Sequence, residues 1–92
     1  MYAVLVKVDL SGADPVEGPK HLRENVVPMV KQAPGFQYGT WLSPQDGKGM
    51  SLVVFDSEEN AKAAAQMAQP GSNPGPGVTV EHCHVREVVA SA

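Results

Sequence analysis

His21 and Asn25 stand four residues apart, with Glu17 one turn further back, the spacing at which side chains become neighbours on a helix. An imidazole that titrates near neutrality beside an amide donor could take a phenolic proton and hold the oxyanion that develops. The same residues suit the solvated flank of an amphipathic helix equally well. Trp41, the only tryptophan, could stack on a flat ligand or seal an apolar contact with its large area. Tyr38 and Tyr2 could line the same cavity or pack in the core with their hydroxyls at its rim. His82 and His84 alternate onto one strand face, where two imidazoles can ligate zinc, iron or copper. Two ligands do not complete a site, so no metal is expected and the pair reads as surface or interface. Cys83 has no flanking lysine and no helix terminus to lower its pKa, and reads as a small buried hydrophobe.

These residues need elements to position them. Tyr2 to Val8 is a β-branched run, apolar at both parities until Lys7, which predicts a strand buried on both faces. Asp14, Pro15 and Glu17 fit an N-cap, a first helical position and a capping-box acid. Pro19, which could instead be the first helical position behind Gly18, then Leu22, Val26, Met29, Val30 and Ala33 form one apolar stripe, with Lys20, Arg23, Glu24 and Lys31 largely opposite. Pro28 removes a backbone hydrogen bond and should kink this helix, which Pro34-Gly35 ends. Phe36 to Ser43 alternates as a half-exposed strand, with Phe36, Tyr38 and Leu42 on one parity and Trp41 on the other. The turn formers Pro44 to Gly49 join it as a hairpin to the apolar strand Met50 to Phe55. Asp56 or Ser57 caps a short alanine-rich helix that runs to Met67. Gln69 to Gly77 is a proline- and glycine-rich loop. It lacks the Gly-Lys-Ser ending of a phosphate loop and leads into a strand, so it reads as a lid or connector. Val78 to Val89 is the last strand, with Val80, His82 and His84 on one parity and Glu81, Cys83 and Val85 on the other.

The order strand, helix, strand, strand, helix, strand is the split βαβ unit. It predicts an α+β, ferredoxin-like βαββαβ fold: one domain over residues 1–92, a four-stranded antiparallel sheet in the order 4-1-3-2, and both helices on one face. The two continuous apolar runs fall on the central strands of that order and the polar ones on its edges. Two helices cover one side only, so the second apolar face calls for another cover, and a second copy of the chain in a homodimer is the expected one. The 92 residues would bury only about 60 to 65% of their unfolded surface as a monomer, and one cysteine permits no internal disulfide. Seven basic against ten acidic residues give a net charge of −3, with no basic stripe for nucleic acid. No segment approaches a membrane span, and the apolar start lacks a basic leader and cleavage site, which is read as a cytoplasmic protein with no membrane partner.

Four short motifs carry a resemblance over essentially the whole chain: Val27-Pro28, Pro34-Gly35-Phe36, Trp41-Leu42, and the run from Val53 to Ala61, Val-Val-Phe-Asp-Ser-Glu-Glu-Asn-Ala. In this order and spacing the chain resembles the antibiotic biosynthesis monooxygenase family of dimeric α/β barrels. The resemblance implies a barrel-forming homodimer with a pocket between helices and sheet. It implies a small aromatic or apolar ligand, and among possible activities the cofactor-independent oxygenation of a phenol or quinol. On that reading His21 and Asn25 are the catalytic candidates, Trp41 and Tyr38 bind substrate, and no cofactor is expected. A histidine that the family often carries on the second helix is absent, since Asn60-Ala61 is followed by Lys62 to Gln66. The first strand also lacks the asparagine of haem-degrading members. The alternative is a non-catalytic ligand-binding or assembly module that keeps the barrel without its catalytic groups.

Overall fold

The computed structural model describes residues 1–92. Four strands, β1 (Tyr2–Asp9), β2 (Phe36–Trp41), β3 (Lys48–Phe55) and β4 (Thr79–Glu87), form one antiparallel sheet in the order β2-β3-β1-β4. This is the expected order read from the other edge. The first helix is built from α1 (Glu17–His21), a π-helical turn (Leu22–Val26) and α2 (Val27–Lys31). The second is α3 (Glu58–Ala65), prolonged by a 3₁₀ turn (Gln66–Ala68). The chain is therefore an α+β protein with a four-stranded antiparallel sheet and two helices, compatible with a ferredoxin-like fold. No helix is long and apolar enough to cross a membrane.

Local chemistry accounts for the element boundaries. Asp14 Oδ1 accepts the backbone N–H groups of Val16 and Glu17, both at 2.8 Å, and Ser57 Oγ accepts that of Asn60 at 3.2 Å. Both are the capping acceptors that orphan helix N–H groups require. Pro28 has no N–H to donate and its ring crowds the carbonyl four residues back, so the preceding turn widens: the Val27 N–H bonds the carbonyl of Leu22 five residues earlier. The expected kink is thus a π turn. The hairpin is tighter than expected, since Gln45 and Lys48 exchange both backbone bonds around Asp46 (φ 54°) and Gly47 (φ 74°), an Asp-Gly two-residue turn. That extends β3 back to Lys48, while β2 stops at Trp41.

Two irregularities change which side chains share a face. The β1–β4 register slips between Lys7 and Val8, a bulge at Glu81 that places Val80 with Cys83 and Val85 under the helices while His82 and His84 lie opposite. The β2–β3 register slips between Phe36 and Tyr38, so Phe36 joins Trp41 on the helix side. The single-parity groupings expected for these strands hold only on one side of each bulge, because one extra residue flips every side chain beyond it.

The core lies between α3 and the helix face of the sheet. Val4, Val53 and Phe55 pack with Ala61 and Ala65, and Phe36 meets Phe55 edge to face at 6.4 Å. On the opposite face Ala3 and Val54 are buried, Leu5 and Leu52 are half-buried, and Tyr38 and Met50 are exposed. That face is apolar at its centre, as expected, and no helix covers it.

At its margin Lys48 Nζ bridges Glu81 at 2.7 Å and Asp9 at 3.3 Å, which ties β3, β4 and β1 together. The N–H and hydroxyl of Ser11, helped by the Lys48 ammonium, hold the Asp9 carboxyl down at about 2. A carboxylate with a depressed folded-state pKa contributes stability that is complete above its unfolded value near 4 and is lost as pH falls towards 2. Urea midpoints measured at about pH 5 and about pH 2.5 should therefore fall with acidification, and Asp9→Asn should reduce the difference; an unaltered difference in the variant would exclude Asp9 as a contributor.

Candidate functional site

α3 lies close on β1, β3 and β4, because Ala61 and Ala65 present no bulk to the sheet. The first helix behaves differently. None of its residues is buried, and it meets the sheet chiefly where α2 passes β2, with Val30 and Ala33 against the core. Its N-terminal half stands off the sheet, and the gap beneath it is a cavity of about 820 Å³, within the range of small-molecule sites. Val4, Val6, Val53, Phe55 and Val80 form its floor, Leu22 and Val26 its roof, and Pro74, Gly75 and Val78 of the 69–78 loop one end. Asp14 and Arg23 are the only charged residues on the lining. Asp14 Oδ1 accepts both capping bonds, which hold its carboxyl below the usual carboxylate range.

Trp41 lies on the wall of this cavity. Its six-membered ring rests over Gly39, where a β-carbon would come within 2.9 Å of two ring atoms; the missing side chain of one residue seats the aromatic side chain of the next on the same face. Tyr38 is on the other side of the sheet. It pairs with Val54 on the uncovered face and does not line the cavity.

His21 lines the cavity and Asn25 is exposed beside it, with Asn25 Nδ2 3.2 Å from His21 Nδ1. The i, i+4 pairing read from the sequence is therefore made. The other ring nitrogen, Nε2, lies 3.4 Å from the carbonyl oxygen of Pro74. A carbonyl can only accept, so Nε2 carries the proton and Nδ1 accepts from the Asn25 amide. Both ring nitrogens are thus engaged within the protein, and the one lone pair, on Nδ1, is taken by the Asn25 amide.

His82 and His84 sit together on the uncovered face, rings stacked with centroids 6.1 Å apart, beside Lys7 and Leu5 of β1. No group of three or more potential metal ligands occurs in the chain. Cys83 is on the helix side, its Sγ 3.8 Å from the Ala65 carbonyl oxygen, and burial pushes its thiol up, which disfavours the thiolate.

Arg23 and the Pro74-Gly75 wall were not legible as site residues. Arg23 falls opposite the apolar stripe and is exposed, yet it reaches the edge of the cavity. The loop's glycines and prolines signalled a turn without saying against what it would fold. Neither the models of known protein families nor the curated proteins match this chain, so the likeness to the monooxygenase family rests on its short motifs alone.

The Gly39 seat of the indole is open to test by fluorescence, since Trp41 is the sole tryptophan. Gly39→Ala should push the ring out over the cavity and move its emission to longer wavelength as water reaches it. An unchanged spectrum would mean that the ring does not depend on this seat.

Proposed function

We propose that this protein binds a small apolar or aromatic molecule in the cavity beneath its first helix, works as a homodimer joined through the uncovered sheet face, and does no chemistry on its ligand. The observation that carries the reading is a large apolar cavity whose only candidate base has both ring nitrogens occupied. Water held against apolar walls is displaced favourably by an apolar ligand. Trp41 supplies a flat stacking surface, and Ser51 and Arg23 supply polar contacts at the margin. Cofactor-independent oxygenation, the activity the family resemblance implies, needs a base with a free lone pair to make the substrate electron-rich. The engagement of His21 argues against it.

The dimer is supported by area. The chain exposes 5964 Å², whereas a self-contained protein of 9.7 kDa exposes about 5,100 Å². The excess is on the order of the 800 Å² that each partner contributes to a standard interface. Only nine of 92 residues are buried, a small core for a chain with no disulfide, and the apolar centre of the second face is the surface a symmetric partner would cover.

Sedimentation at micromolar concentration should give a species of twice the 9.7 kDa chain mass, and a monomer would refute the assembly. Native mass spectrometry of untagged protein should show each chain taking up one equivalent of an apolar dye such as Nile red, or retaining a small molecule from its host. Failure of both would overturn the binding reading. Oxygen consumption in the presence of simple quinols should stay at the rate without protein, and turnover abolished by His21→Ala would restore the catalytic alternative.

A further inference from the structure

We propose that His21 is a strap: its Nε2–H donates to the Pro74 carbonyl and holds the 69–78 loop in place as the end wall of the cavity, while Asn25 fixes the ring in the tautomer that can donate. The inference rests on the reading that the cavity takes a ligand, and it assigns to His21 a positioning role in place of a catalytic one.

Three observations converge on it. The donor and acceptor are 53 residues apart in sequence and 3.4 Å apart in space, and the contact joins two segments that both line the cavity. The ring orientation is set from behind, because Asn25 Nδ2 reaches Nδ1 at 3.2 Å; with Nδ1 accepting, the proton sits on Nε2, facing the loop. The loop is shaped to receive the ring. Gly75 lies flat against it, so that a β-carbon there would stand 2.8 Å from His21 Cδ2 and 3.2 Å from Nε2.

The loop also needs such a hold. Its own hydrogen bonds lie at its ends and within single turns: Gln69 Nε2 to the Ala65 carbonyl, Gly71 N–H to the Val80 carbonyl, Val80 N–H to that of Ser72, Val78 N–H to that of Gly75, and the Ser72 contacts with Gln69. None of these bonds ties Pro74 or Gly75 to the first helix. The one hydrogen bond that does so is His21 to Pro74. The remaining close approach is backbone against backbone, where Gly77 meets Gly12 with no room for a β-carbon, and it fixes the foot of the loop and leaves the tip free. Without the strap, the cavity end wall would rest on a three-proline, three-glycine segment held only at its base.

Hydrogen exchange of the free protein tests the strap without reference to any ligand. His21→Ala should speed exchange of the amides in residues 69–78 by a factor of about 2 to 10, the worth of one net hydrogen bond, and leave the β1 and β3 amides unchanged. His21→Gln, whose amide nitrogen can reach where Nε2 stands, should restore most of the protection. Gly75→Ala should loosen the loop in the wild-type background and add nothing in the His21→Ala background, because the clash and the strap are the same contact. Unchanged loop exchange in His21→Ala, or a uniform rise across the whole chain, would overturn the proposal, as would full additivity of the two substitutions. With Nile red as probe, His21→Ala should dissociate faster than wild type by a similar factor. A wild-type protein that takes up no dye would sink the binding reading and leave the exchange data to judge the strap on its own.

Discussion

Everything in this fold depends on how closely one helix can approach the sheet. Ala61 and Ala65 give α3 a smooth face, so it settles onto Val4, Val53 and Phe55 and encloses what core there is. Small side chains shorten the distance between layers, and interior packing is dense only where that distance is short. The second helical layer has no such match. The first helix carries Leu22, Val26 and Val30 towards a floor of valines, and it is anchored at its C-terminal end, so its N-terminal half spans open space. The cavity is the consequence of one helix lying down and the other standing off.

The standing helix is held by contacts of a different kind at its two ends. At the C-terminal end Val30 and Ala33 bury apolar surface against the core. At the N-terminal end the contacts are polar and short in reach: Asp14 capping the first turn, and the His21 ring between Asn25 and the Pro74 carbonyl. Apolar burial is non-directional and contributes stability in proportion to area. A hydrogen bond contributes little net energy but defines a geometry. The division suits a site that must keep its shape around a space it does not itself fill. The Lys48 bridge to Asp9 and Glu81 belongs to the same economy, since it pins the far margin of the sheet where a bulge interrupts the β1–β4 ladder.

The two sheet faces carry different burdens. The helix face holds the core, the cavity, Trp41 and Cys83. The other holds Leu5, Leu52, Met50 and Tyr38 at its centre and edge, with Lys7, His82, His84 and Arg86 along the β4 side. An apolar centre flanked by Lys7, Arg86 and two histidines is surface that no element of this chain covers. Covering it would add to a core that is small for 92 residues.

Much of the architecture was written in the sequence, because it follows from period and punctuation. The continuous apolar runs of β1 and β3, the Asp14 and Ser57 caps, the turn formers at 44–49 and the strand-helix order determined element types, strand order and the uncovered face. Those signals are local, or follow from chain connectivity. The composition of the candidate site was only partly legible, since face assignment is counted residue by residue and a single slip inverts it. The bulges at Glu81 and between Phe36 and Tyr38 moved Val80 away from His82 and brought Phe36 to the side of Trp41. The 69–78 loop brought the Pro74 carbonyl to His21 Nε2, which fixes the tautomer in which Nδ1 accepts from Asn25. Each of these depends on a partner far along the chain, a paired strand or a distant carbonyl, so only the tertiary structure could decide it.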